Sequence, residues 1–204
     1  MKKIVNVSLT ILISYDSEDL GLTNESSDQA LENAANMEVN EIINAIQEYK
    51  SSDGTKGIYL YGPFGTGKTF ILLSLANFLA TKKNKKVIFA YYPELVREAK
   101  SSIATGKLES LIVKLKNTDV LFLDDFGGEL NSSFIRDEFL GPILQYRMMA
   151  GLPVFMSSNY DIKSLTAHLA ETKDENNVIK AERIIERIEY MMKVVKLEDI
   201  NYRR

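Results

Sequence analysis

The chain has 204 residues, 45% apolar and 26% charged, the composition of an ordinary globular domain long enough to bury a sizeable core. Its net charge of −3 gives no overall attraction for nucleic acid, so any such contact must come from a local basic strip. With no cysteine and one histidine, a disulfide framework and a cysteine-based zinc site are excluded; His168, between Leu165 and Leu169, reads as a helix-surface or packing residue.

The start, MKKIVNVSLTILIS, has the two lysines and apolar run of an export signal, but polar residues interrupt it. Val5, Val7, Leu9, Ile11 and Ile13 instead form the period-two stripe of a half-buried strand. Residues 1–23 read as an extended leader, and Ser27 to Tyr49 as a helix that SSDGTKG terminates. This sets a division near residue 50: leader and helix over 1–50, a strand–helix domain over 51–204. No apolar run reaches the length of a membrane span, and a reducing cytoplasm suits a chain without cysteine.

From Gly57 strands and helices alternate. GIYLY is a strand, Thr69 to about Thr81 a helix, KVIFAYY a strand, and PELVREAKSSI a helix with proline in its first turn. ATGK breaks that helix, LESLIVKLK forms another, and DVLFLDD is a continuously apolar strand of the kind found inside a parallel sheet. Phe134 to Met149 is a helix that Gly141–Pro142 should kink. LPVFMSSN is a further buried strand, and the remainder reads as helical, with a polar break at 172–177. The pattern implies an α/β fold, a parallel sheet covered by helices on both faces, with ligands beyond the carboxyl ends of the strands.

Three motifs fall at such ends. Gly62, Pro63, Phe64, Gly65, Thr66, Gly67, Lys68 and Thr69, followed by Phe70, fit G-x-x-x-x-G-K-[ST] between a strand and a helix. The glycines let backbone N–H groups turn around a phosphate, the helix adds its positive end, Lys68 reaches the β- and γ-phosphates, and Thr69 ligates Mg²⁺. Asp124 ends a hydrophobic strand, where a carboxylate is costly unless a cation compensates it; Mg²⁺ does so. Asp125 is placed to orient or activate an attacking water, the alternative being a turn or cap residue. Asn159 suits a hydrogen bond to the γ-phosphate and that water, or simply a strand-end turn. ATP and Mg²⁺ are the ligands these motifs imply. Arg183 and Arg187, four apart on one helix face, are either a solvated ion-pair surface or a finger reaching a neighbour's nucleotide.

Together YLYGPFGTGKTF, VLFLDDFGGE, RDEFLGPILQYRMM, PVFMSSN and KAERIIERI resemble the AAA+ P-loop domain of bacterial replicative-helicase loaders of the DnaI type, with DnaC- and IstB-like proteins as relatives. The resemblance runs from about Gly57 to the C-terminus. It implies an ATPase that self-associates side by side and helps place a DnaB-type helicase on single-stranded DNA at replication initiation. It matches Lys68 and Thr69 to Walker A, Asp124 and Asp125 to Walker B, Asn159 to sensor 1 and Arg187, with Arg183 in reserve, to the trans-acting finger. It also implies a reduced or absent C-terminal lid; the cysteine-bearing zinc domain of DnaI-type loaders has no counterpart here. Tyr91, Tyr92, Arg97, Lys100, Lys107 and Lys114 mix aromatic and basic groups that suit DNA, or are packed tyrosines and solvated cations. KKNKK at 82–86 reads as a solubilising turn. Three other functions share these motifs: an IstB-type transposition helper, a P-loop kinase for a small acceptor, and a nucleotide-gated binding module with negligible turnover.

Overall fold

The computed structural model describes residues 9–11, 56–130, 132–170 and 175–197; the helix expected from Ser27 to Tyr49 lies outside them. In chain order the elements are β1 (Leu9–Ile11), β2 (Gly57–Tyr61), α1 (Lys68–Lys83), β3 (Val87–Tyr91), α2 (Tyr92–Ala104), α3 (Leu108–Asn117) and β4 (Val120–Phe126). A π-helical segment (Ile135–Leu140) then runs into α4 (Gly141–Met149), followed by β5 (Val154–Ser158), α5 (Ile162–Ala170), α6 (Glu175–Met191) and β6 (Met192–Lys196).

Among the described residues the strands form one sheet in the order β1-β3-β4-β5-β2-β6, with every neighbouring pair parallel. The strands are short apolar runs because both faces are covered. Ile58, Leu60, Val87, Phe89, Val120, Phe122 and Phe155 face α1, against Leu72, Leu75 and Leu79. Their alternate neighbours Tyr59, Ile88, Leu121, Leu123, Val154 and Met156 belong to the core shared with the other helices. Phe89, Phe122 and Phe155 stack across three adjacent strands, with ring centroids 5.8 and 4.7 Å apart. The strand order has a functional consequence. β5 lies between β2 and β4, so the segments leaving these three strands emerge side by side.

Two expectations are revised. Met192–Lys196 is a strand pairing with β2, not a continuation of the helix. It is an edge strand in which Met192 and Val195 are buried and the residues between them exposed, a spacing that helical periodicity mimics. The polar break at 172–177 ends earlier than expected, since α6 begins at Glu175. Gly141–Pro142 produces a wider turn: the Gly141 N–H bonds Arg136 O, five residues back. Pro142 has no N–H and its ring crowds the preceding turn, and the π segment removes that conflict. None of the described helices is long and apolar enough to cross a membrane.

Two arginines in RDEFLGPILQYR are structural. Arg136 is fully buried; it grips Asp137 through Nε and Nη2, at 2.7 and 3.0 Å, and donates to Leu169 O at the end of α5 and to Asn177 Oδ1 on α6. That hydrogen-bonded pairing holds the Asp137 carboxyl below the usual aspartate range. Arg147, also fully buried, donates to Leu115 O, Lys116 O and Thr118 O at the end of α3 and to Pro153 O before β5. Burial lowers its pKa to about 10, which leaves it a cation at neutral pH. Arg147→Ala strands those carbonyls without a donor, and the expected loss is on the order of 3 kcal/mol in urea unfolding; a loss below about 1 kcal/mol contradicts this role.

Candidate nucleotide site

The glycine loop leaves β2 and turns into α1 at Gly67, whose φ of +82° lies in the left-handed region. A side chain there would meet nothing within 4 Å, so the requirement for glycine is conformational rather than steric. No side chain caps α1 and its first turn holds no acidic residue. The leading N–H groups and the positive end of the helix dipole therefore have no competing anion. Lys68 is buried, and its ammonium donates to Gly62 O and Pro63 O, both at 2.7 Å, which places a cation in the hollow of the loop. Thr66 closes the loop by donating to Pro63 O. Phe64 projects from the tip, 75% exposed, while Phe70 is half-buried in the first turn of α1.

Thr69 Oγ1 donates to Asp124 Oδ2 at 2.9 Å, across 55 residues of sequence. Asp124 is fully buried at the end of β4, and its other oxygen accepts from Ser157 Oγ at 2.5 Å. The register between β4 and β5 shifts here: Leu123 pairs with Met156, but Phe126 pairs with Ser158. One extra residue in β4 is a bulge, which turns consecutive carboxylates in different directions. Asp125 takes a φ of +56°, a left-handed conformation that aspartate tolerates better than most residues. Ser157 repairs the interrupted ladder, because its hydroxyl accepts the Asp125 N–H at 2.9 Å. No sequence motif singles out Ser157. The available signal was a pair of hydroxyls in a buried strand, costly unless bonded.

The Asp125 carboxylate is held from two sides. Asn159 Nδ2 donates to Oδ1 at 3.2 Å and the Tyr91 hydroxyl to Oδ2 at 3.3 Å. Gly128 closes a third side, since a Cβ there would lie 2.5 Å from Oδ2. Burial, and then the neighbouring Asp124 charge, raise the Asp125 carboxyl pKa above the usual aspartate value. Burial and Asp125 likewise raise the Tyr91 phenol, which favours Tyr91 as a donor.

Lys68, Thr69, Asp124, Asp125 and Asn159 thus converge, and Tyr91 joins them instead of facing outward. Tyr92 is corrected as a DNA candidate: it is 1% exposed and packs on Phe126 with centroids 4.6 Å apart, so no base can stack on it. Arg97, Lys100, Lys107 and Lys114 are exposed; Arg97 pairs with Glu94, and Lys100 bonds Leu130 O. The turn at 82–86 is exposed throughout. Arg183 and Arg187 lie elsewhere, in a groove of about 460 Å³ between α6 and the π-to-α4 helix, also lined by Arg136, Asp137, Gln145 and Lys180. Arg187 Nε donates to Gln145 Oε1 at 3.0 Å, and burial and then Arg183 lower its pKa.

The model of the family described as IstB-like ATP binding protein matches residues 29–204. The replicative helicase loader DnaI of Bacillus subtilis is 42% identical over 159 residues, which cover 78% of this chain and 51% of DnaI. The chain therefore spans about half the length of that curated relative. Among solved structures, a crystal structure of DnaI matches with a TM-score of 0.68 at 38% identity, covering 80% of this chain and 82% of that one. A chain from Streptococcus pyogenes serotype M3, proposed to be a primosome component, matches with a TM-score of 0.70 at 29% identity, covering 98% and 99%.

The raised pKa of Asp125 has a sign that can be tested. Folding favours its protonated form, so its contribution to stability is present at low pH and lost as pH rises through the raised pKa. At neutral pH the ionised group therefore destabilises the fold. Asp125→Asn, which removes the charge and tolerates the left-handed backbone, is expected to melt higher than the parent chain at pH 7. The gap should narrow as pH falls toward about 4. Circular dichroism melts across that range check this; a lower melting temperature at pH 7 contradicts it.

Proposed function

Because this chain belongs to the family of IstB-like ATP binding proteins and has the parallel-sheet P-loop fold of the AAA+ ATPases, we propose that it hydrolyses ATP to help load a DnaB-type replicative helicase onto single-stranded DNA at initiation, in the cytoplasm. The observation that carries the reading is the contact between Thr69 and Asp124, the ends of two separate motifs, beneath a loop whose cation already sits in its hollow.

The donors fit Mg²⁺. A threonine hydroxyl and a buried carboxylate are hard oxygen ligands, and no group of three or more His, Cys, Asp or Glu side chains forms a protein cage among the described residues. A cation held by few protein groups and shared with phosphates matches Mg²⁺. Thr69 and Asp124 would hold it, and it would neutralise charge on the β- and γ-phosphates.

The remaining work falls to the chain itself. Lys68 exchanges its two loop carbonyls for phosphate oxygens, and the N–H groups opening α1 bind the same anion. Asp125 takes a proton from the attacking water, and its raised pKa makes it a better base than an ordinary aspartate. Asn159, bonded to that carboxylate, orients the water. Arg187 lines a groove that shares no residue with this cluster, which supports its action on the nucleotide of an adjacent subunit. Arg97, Lys100, Lys107 and Lys114 are the exposed cations proposed to meet DNA phosphates.

A second reading, an IstB-type transposition helper, is favoured by the family's own description. Affinity capture separates the two: recovery of a DnaB-type helicase supports loading, recovery of a transposase supports the alternative. Hydrolysis is tested by phosphate release across protein concentration, with and without single-stranded DNA and helicase. Turnover per subunit is expected to rise with concentration. Arg187→Ala is expected to retain ATP binding while losing turnover on the order of a thousandfold, and Lys68→Ala to lose binding itself. Turnover per subunit that is independent of concentration and of Arg187 contradicts the trans-acting role.

A further inference from the structure

Glu129 and His168 lie outside the proposed triphosphate contacts, yet Glu129 bonds the turn that follows Asp125 and His168 stacks on the residue next to Asn159. The Glu129 side chain is 1% exposed. Burying a carboxylate is costly, and the fold offsets it with specific partners: the Gly127 N–H donates to Oε2 at 2.8 Å, and His168 Nε2 lies 3.2 Å from Oε1. Glu129 thereby fixes the turn that follows β4. That turn lies against Asp125, through the Gly128 N–H on Asp125 O at 3.0 Å and through the absent Gly128 side chain.

The second arm starts at the same imidazole. Tyr160 stacks on His168, with centroids 5.4 Å apart and planes at 24°. Tyr160 follows Asn159, and its ring presses on Gly127, where a Cβ would lie 2.7 Å from Cδ2. Its carbonyl accepts from the Tyr59 hydroxyl, and its N–H donates to Ser158 Oγ, which itself donates to Phe126 O at 2.6 Å. The loop carrying Asn159 and the turn behind Asp125 are thus joined twice, at Ser158 and at His168.

We propose that His168 is a positioning residue for hydrolysis: through Glu129 it sets the Gly127–Gly128 turn against Asp125, and through Tyr160 it sets the loop that carries Asn159. The proposal rests on the hydrolytic reading above. It also gives α5 a role, because the next residue, Leu169, offers its carbonyl to Arg136, which lines the groove of Arg183 and Arg187. A neighbour docked in that groove would bear on the helix that holds His168.

His168→Ala is expected to lower kcat about tenfold or more, because small displacements of reacting groups are costly, while KM and the directly measured ATP affinity stay within about twofold. His168→Gln, whose amide nitrogen can donate to Glu129 in place of Nε2, is expected to restore most of the turnover. Hydrogen exchange at the Gly127 and Gly128 amides supplies a readout independent of turnover: faster in His168→Ala, near the parent rate in His168→Gln. Parental kcat in His168→Ala, or no rescue by His168→Gln, overturns the positioning role and leaves the ATPase reading standing. A parent chain that releases no phosphate under any condition overturns the ATPase reading. Amide exchange then decides the positioning role alone, and unchanged exchange in His168→Ala overturns it.

Discussion

The site depends on burying one carboxylate. Asp124 follows four apolar residues of β4, and it is completely shielded from water. Burying such a group is costly unless hydroxyls, amides or a cation compensate it. Here Thr69 and Ser157 donate from either side, one from the helix after the glycine loop and one from the neighbouring strand. The carboxylate therefore works as a joint among three chain segments. Satisfying it brings the glycine loop, the acidic strand and the strand leading to Asn159 together, the kind of preorganisation that lowers the cost of binding and of reaction.

The local irregularities of the fold serve the same place. A regular parallel ladder would send Asp124 and Asp125 to opposite faces, one of them into the core. The bulge in β4 and the left-handed backbone at Asp125 redirect the second carboxylate toward Asn159 and Tyr91. The strain is offset nearby, by Ser157 on the Asp125 N–H and by the turn that Glu129 closes. Two buried guanidiniums hold the helices behind the sheet without joining the chemistry. Arg147 ties the end of α3 to the approach to β5, and Arg136 ties α5 to α6.

Much of this was legible in the sequence, for reasons that differ by element. β2, β4 and β5 carry the apolar runs IYLY, VLFL and VFM, bounded by glycine, proline or polar residues, and the glycine loop has a spacing that few other structures require. Asp124, Asp125 and Asn159 stand out in the sequence as polar residues where an apolar run stops, and Lys68 and Thr69 as the close of the glycine motif at the start of α1. β6 does not, since its buried residues three apart satisfy helical spacing as well as the pairing it makes with β2. Local pattern does not separate Tyr91 from Tyr92, because the strand ends between them: Tyr91 closes β3 with its hydroxyl on the carboxylate, and Tyr92 opens α2 with its ring in the core. Ser157, Glu129 and His168 depend on contacts across 32 to 39 residues, which local pattern does not encode.

The central claim is that these strand ends form a single seat for a magnesium-bound triphosphate. A crystal structure with Mg²⁺ and a non-hydrolysable ATP analogue tests it most directly. The account predicts Lys68 lifted from the Gly62 and Pro63 carbonyls onto the phosphates, with Thr69 on the metal and Asp124 beside it. A nucleotide bound elsewhere, with Lys68 still on those carbonyls, would contradict it.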